Sequence, residues 1–449
     1  MEKITGFVLD LERFMYSEWF VITLLGTGLL LSIRTRFIQF RKIGTAWKMI
    51  FKGAFQKEEE LHKEGDISPF QALNTALAAT VGLGNIAGVA TALALGGPGA
   101  IFWMWMTALF GMATIYGEAM LALKFRSIAE DGSMAGGPMY YISKGLKKAH
   151  GGKILAAVFA VTGSMACLLS TGCMMQSNSI ALSFNSSFGV PYWVSGVVIS
   201  VFTGLVTIGG IKRIGKVVEK LVPFMILFFI SASMLILLIK IREIPENLIL
   251  IVRSAFKPSA AIGGFAGASV IAAMQYGVSR GALSNEAGLG SSPIAHGAAK
   301  EDDPDRQGIL AMNGVFIDTI IVCTISALVI LTSGKLTTGM TSTELAAAAF
   351  GSVIPHGHLI VVFSALLFGF STLLGWSYYG EQCVQYVMGF KVVNFYRYVF
   401  VLFVFLGAVI KLELVWSIGT IANACMALPN LIGLIVLSGV VGAIAVKKK

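Results

Sequence analysis

Charge is scarce in this chain. Lys, Arg, Asp and Glu make up 13% of its 449 residues, against roughly a quarter in soluble domains, while 56% are hydrophobic. That shortage excludes a water-soluble globular body, and a mean hydropathy of +0.79 agrees. Cysteine offers no framework. Cys167, Cys173, Cys323, Cys383 and Cys425 are odd in number, unrelated in spacing and set in or beside apolar stretches. A disulfide scaffold or zinc site is excluded, and the five read as small buried residues. His62, His150, His296, His356 and His358 form no ligand cluster. No HExxH zinc helix occurs, and no enzyme and no cofactor is expected. The stretch before Met15 lacks a basic n-region, so no cleavable leader is expected.

What is present are long apolar runs. Those at 19–33, 191–209, 222–241, 315–333 and 395–410 approach or reach the length of a bilayer-spanning helix. The expected fold class is an all-α polytopic membrane protein. Eleven spans are expected, at 17–33, 68–97, 99–123, 154–183, 191–209, 215–240, 262–297, 307–333, 358–388, 394–411 and 414–445. The net charge of +10 would suit nucleic acid, but the charges fall in short loops, so no nucleic-acid partner is expected and the lipid bilayer is. Arg34, Arg36, Arg41, Lys42, Lys48 and Lys52 follow the first span, and later basic loops alternate with nearly neutral ones such as NSSFGVPYW. This predicts an outside N-terminus and a cytoplasmic C-terminus in a prokaryotic-type plasma membrane. One loop dissents: 240–257 carries Lys240, Arg242, Arg253 and Lys257 on the predicted outside, and reads as an amphipathic surface segment. The charge run at 52–67 reads as a solvated cytoplasmic loop.

Within the apolar sequence two places break the helical pattern. TVGLGNIAG at 80–88 puts three glycines and an asparagine near mid-membrane, and NIAGV at 85–89 returns as NEAGL at 285–289. Each lies in an interrupted segment of about thirty residues that opens a set of five spans, and an odd number inverts the second set. Matching breaks in inverted halves point to a transport site. A broken helix frees carbonyls, which suit a cation, and N–H groups, which suit a carboxylate. Asn85 is placed to cap the half-helix beginning IAGVATAL, and Gly82 and Gly84 allow close approach of backbone to ligand. Ser284 or Asn285 is placed to cap a half-helix carrying Glu286. Gly84 and Gly88 also read as a GxxxG packing pair.

Glu286 and Asp318 are the acids deepest in apolar sequence. An intramembrane acid marks either function or a structural pairing, here with Arg280 for Glu286. In FGFSTLLGWSYYGEQ, Thr372 and Trp376 share a helix face, and Ser371 and Thr372 either complete a cation shell or bond back to the preceding turn. Gln176, in CMMQSNSIA, is a buried amide that contacts a ligand or bridges helices.

These residues resemble the alanine-or-glycine:cation symporters, also called sodium:alanine symporters, of the amino-acid/polyamine/organocation transporter type. GGPGAIFWMWMTALFG, MAGGPMYYI, RGALSNEAGLGSSP and STLLGWSYYGEQC carry the likeness, which runs from Gly65 to the last span. The resemblance implies a leucine-transporter-type fold, with two inverted five-helix repeats preceded by one extra helix. Residues 1–67 are then the N-terminal helix and basic loop, 68–241 the first repeat, 242–261 an extracellular amphipathic connection and 262–449 the second repeat. It implies uptake of a small neutral amino acid with Na+, or with H+, and no obligate protein partner. The substrate residues carried over are Leu83, Gly84, Asn85, Gln176, Leu283, Asn285, Thr372 and Trp376. The cation would take carbonyls of Ala78 and Val81 with hydroxyls of Ser371 and Thr372. The family usually reads GTGN and FSNEAG where this chain has GLGN and LSNEAG. Leu83 thus removes a hydroxyl beside the expected substrate, and Leu283 replaces an aromatic wall. A passive amino-acid channel or exchanger and a non-transporting sensor are the alternatives.

Overall fold

The structure is a computed structural model that describes residues 2–15, 17–55, 63–146, 151–170, 172–257, 269–410 and 413–447. It is a helical bundle whose one small sheet, among the described residues, is the hairpin pairing Ser127–Ile128 with Met134–Ala135. Among the described residues, seven helices are long and apolar enough to cross a membrane, or eight when Pro69–Thr80 and Leu83–Gly96 count as one bent span. Glu18–Arg34, Tyr192–Thr207 and the pair Val270–Asn285 and Ser292–Gly297 are further apolar or half-length elements. The first part of the expected span at 262–297, with the end of the 242–261 connection, lies outside the described residues, as do 56–62 of the charge run.

The first break follows from its sequence. Ser68 and Gln71 form a reciprocal capping box, and Pro69 at the first helical position costs no hydrogen bond, so the half-helix starts firmly. It ends at Thr80, a short turn Leu83–Asn85 follows, and the chain resumes as Ala87–Gly96 after a bend of 58°. Gly97, at φ +68, then closes that half-helix in a conformation that favours glycine.

The span expected at 154–183 corresponds to the candidate span Gly152–Phe188, built of the helices Gly152–Leu169 and Met174–Phe188. Two features depart from the sequence reading. The span at 307–333 widens into a π-helical stretch, Phe316–Cys323, between Pro304–Val315 and Thr324–Thr332. A further helix, Ser342–Val353, fills the interval after 333 and packs on Ala87–Gly96.

Two long helices organise the core. Gly99–Lys124 packs against Glu18–Arg34, Val270–Asn285 and Pro304–Val315. Glycines set those distances: an added Cβ at Gly277 would stand 2.3 Å from the Ala100 carbonyl oxygen, and at Gly281 2.2 Å from the Thr107 hydroxyl. His358–Met388 packs on Pro69–Thr80, Gly152–Leu169 and Gly210–Ile239. Tyr192–Thr207 and Val393–Val409 pair at the periphery and expose Val201, Leu205 and Leu402, as a lipid-facing surface should.

Candidate functional site

The two breaks meet. An added Cβ on Gly84 would lie 3.6 Å from Ser284 Cα. Beside this meeting point is a cavity of about 320 Å³. Leu83, Gly84, Gln176 and Leu283 line it. Ala87 and Gly88 line it too. As the first residues of their half-helix, they carry N–H groups without intrahelical partners. Arg280 and Glu286 bring charge to the wall, Thr80, Thr91 and Met175 add to it, and Glu12, Ser342 and Thr420 come from three distant elements.

Asn85, Asn285, Thr372 and Trp376 do not line this cavity; they stand behind it. The Asn85 carboxamide oxygen accepts from Gly82 N at 2.9 Å, and its NH2 donates to Asp318 Oδ1 at 2.6 Å. Asn85 therefore closes the turn before it instead of capping the helix after it, whose cap position is Ile86. Asn285 donates to Thr319 Oγ1 at 3.1 Å and accepts from Ala287 N at 3.1 Å. The half-helix expected to carry Glu286 does not form. Val270–Asn285 ends there, Glu286 takes a left-handed φ of 56°, and helix returns only at Ser292–Gly297.

Glu286 thus sits in the break itself. Its Oε2 accepts from Ser291 Oγ at 2.5 Å and its Oε1 from the Trp376 indole at 2.9 Å. Those are its partners among the described residues, so the expected pairing with Arg280 is not formed. Trp376 aims the carboxylate, and Gly172 makes room for the indole: an added Cβ there would meet the ring at 2.8 Å.

Asp318 lies in the π-helical stretch and receives donors from both breaks. Besides Asn85, Ser284 Oγ donates to its Oδ2 at 2.8 Å, and the neighbouring Thr319 hydroxyl at 2.7 Å. A widened helical turn here presents the carboxyl to both broken helices.

At the end of Pro69–Thr80, Ser371 Oγ donates to Ala78 O at 3.2 Å and to Phe368 O at 2.9 Å, and Thr372 Oγ1 donates to Phe368 O at 2.9 Å. Ala78 and Ser371 are brought together, and both hydroxyls also bond back to the preceding turn. Val81 is buried at the same helix end. Thr372 reaches toward Gly82, where an added Cβ would stand 2.7 Å from its hydroxyl. No group of three His, Cys, Asp or Glu able to hold a metal occurs among the described residues. Gly277-Val-Ser-Arg-Gly281 spells GxSxG, but Ser279 lies inside a helix and its hydroxyl bonds back to Tyr276 O, so it is not the strand-to-helix nucleophile elbow of a hydrolase.

Sequence reasoning missed Thr91, Ser342, Thr420 and Glu12. Thr91 was within reach, since Gly84, Ala87, Gly88 and Thr91 follow a helical spacing. Nothing local marks the other three.

A many-helix membrane bundle whose broken helices meet beside a cavity of mixed polar and apolar lining defines a secondary transporter of the leucine-transporter fold. The solved structure of MhsT in complex with L-phenylalanine shares that fold, with a TM-score of 0.58 at 13% identity over 85% of this chain and 99% of that one. The chain belongs to the sodium:alanine symporter family, which matches residues 1–448. It is 49% identical to the sodium/alanine symporter AgcS of Methanococcus maripaludis, over 96% of this chain and 94% of that protein. It is also similar to the probable sodium/glutamine symporter GlnT of Bacillus subtilis, at 35% identity over 98% of this chain and 89% of that one. Membership makes the protein a multi-pass membrane symporter for amino acids and sodium, and a transporter instead of an enzyme.

Proposed function

We propose that the chain takes up a small neutral amino acid, such as alanine or glycine, driven by Na+ entry through alternating access. The observation that carries this reading is the cavity itself. It sets Ala87 and Gly88, at the N-terminus of Ala87–Gly96, within one enclosure with Glu286. A zwitterion fits that polarity, with its carboxylate on the amides and its ammonium on Glu286. Leu83, Leu283 and Gly84 bound the side chain, with Gln176 beside them. Asn85, Asn285, Thr372 and Trp376 act from behind by holding the breaks and aiming Glu286.

Sodium is taken at the carbonyls of Ala78 and Val81 with the hydroxyls of Ser371 and Thr372, joining the first half-helix to the long helix His358–Met388. That favours the outward-open state, and coupling follows because each solute binds one state better than the other. Residues 68–241 and 262–449 form the two inverted repeats, 1–67 precede them and 242–261 connect them. The N-terminus lies outside the plasma membrane and the C-terminus in the cytoplasm.

The test is proteoliposome uptake of a panel of amino acids, with sodium and proton gradients imposed separately. Expected are alanine and glycine uptake that requires the sodium gradient, and acceleration by unlabelled substrate on the far side. Gradient-independent flux with single-channel currents would indicate a channel. Uptake driven by protons alone would reassign the coupling ion, and binding without uptake would indicate a sensor.

A further inference from the structure

Away from the substrate cavity, the peripheral helices Tyr192–Thr207 and Val393–Val409 pair, and between them runs a groove of about 390 Å³. Val201, Leu205, Ile208 and Val401 give it apolar walls. Gly204 keeps the two helices close, since an added Cβ there would stand 3.4 Å from Val401 Cγ2.

One end of the groove is charged. Arg213, in the first turn of Gly210–Ile239, lines it by folding back over Gly209, where an added Cβ would stand 2.5 Å from the arginine Cδ. Its Nη1 donates to Leu205 O at 2.9 Å, which ties the guanidinium to the end that holds Leu205 and Ile208. The first turn of a helix is a poor place for a cation, because its free amides and the macrodipole favour negative charge. Lys212 shares that turn and Lys216 follows one turn after Arg213, and all three are exposed. Lys212 stands within electrostatic reach of Asp66, but among the described residues no acid pairs with Arg213 or Lys216. Neighbouring Arg397 differs: it donates to Ile208 O, and Glu381 accepts two bonds of 2.8 Å from it. Further along the groove, Ser200 is 7% exposed and its hydroxyl has no hydrogen-bond partner, although nearly all buried polar atoms find one. It precedes Leu205 by five residues, about 7.5 Å along the helix.

We infer that this groove binds one anionic glycerophospholipid from the leaflet on the Arg213 side. The apolar slot takes an acyl chain, the unpaired guanidinium takes the phosphate, and Ser200 donates to an ester carbonyl between them. Arginine suits a phosphate through two parallel N–H bonds, and basic pockets between membrane helices hold anionic headgroups. The positive-inside rule puts the short basic loop before Lys216, and so the headgroup, on the cytoplasmic side. The lipid joins the two peripheral helices to the start of Gly210–Ile239, which itself packs on Pro69–Thr80 and His358–Met388. The site is separate from the substrate cavity and does not depend on which solute is carried.

The test is native mass spectrometry of the full chain in detergent, titrated with phosphatidylglycerol, phosphatidylcholine or inorganic phosphate. One phosphatidylglycerol per chain should bind about tenfold more tightly than phosphatidylcholine, and inorganic phosphate should not displace it. Arg213→Gln keeps a donor for Leu205 O but removes the charge, so its two lipid affinities should become equal. Arg213→Lys should retain most of the preference. Val201→Trp, at an exposed position on the groove wall, should weaken both lipids about tenfold. Should that variant fail to assemble, melting temperature gives a second measurement: phosphatidylglycerol must raise it in the unaltered chain and not in Arg213→Gln. Equal affinity for the two lipids in the unaltered chain, an undiminished preference in Arg213→Gln, or displacement by phosphate would each overturn the site. So would unchanged binding in an assembled Val201→Trp. A dimer that Val201→Trp dissociates would overturn it too, and would assign the groove to a second copy of the chain.

Discussion

At the scale of single residues, the site turns on a few side chains with separable roles. Leu83 lines the cavity where the family usually has threonine, so it presents methyl groups in place of a hydroxyl. Leu83→Thr should shift preference toward smaller substrates, read as the alanine-to-leucine ratio of kcat/KM in uptake; an identical profile would make the departure irrelevant. Thr372, one of the expected cation ligands, has its hydroxyl beside the turn at Gly82. Thr372→Val keeps the shape but removes an oxygen, so sodium activation should be lost or strongly weakened while the protein still assembles. Glu286 is the one cavity-lining acid bound by both Trp376 and Ser291. A hydrogen bond to a charged group contributes about 1.5–3 kcal/mol, so Glu286→Gln should raise substrate KM about tenfold or more. An unchanged KM would leave Glu286 a purely structural residue.

At the scale of elements, the breaks are tied by one carboxylate. Asp318 accepts from Asn85 in the first break and from Ser284 at the second, both from a helical stretch that is itself widened. The two breaks therefore share an anchor and are not independent hinges. Asp318→Ala leaves buried donors unpaired at about 1–3 kcal/mol each, and should lower the melting temperature in detergent by several degrees. A melting point equal to the parent's would mean the donors find other acceptors. The sequence displayed both breaks through glycine and the NxAG echo. It did not display how Asn85 and Glu286 are used, because a capping asparagine and a turn-closing asparagine look alike in one dimension. The π-helical stretch was equally silent, since 315–333 is apolar and periodic either way.

At the scale of the molecule, the proposed sodium site would fasten the first half-helix to the long helix His358–Met388. Binding that selects the folded protein stabilises it by mass action. Sodium at about a hundred times its Kd should add about 2.7 kcal/mol, visible as a raised melting temperature that potassium does not reproduce. Thr372→Val should abolish that increment. Gly99–Lys124 packs on Val270–Asn285 through Gly277 and Gly281, and His358–Met388 packs on Pro69–Thr80 through Gly375, so each broken segment lies against a long helix.

The sequence by itself determined that the chain spans a membrane, that it breaks helices at two related places, and where the glycines of those breaks lie. Those follow from local chemistry: apolar length, missing side chains and charge in short loops. Only the tertiary structure decided that Asn85, Asn285 and Trp376 do not line the cavity, that Glu286 and not a capped half-helix occupies the second break, and that Glu12, Ser342 and Thr420 reach the same wall. Those are facts about which helices touch, and contacts between residues hundreds of positions apart leave no local mark in the sequence.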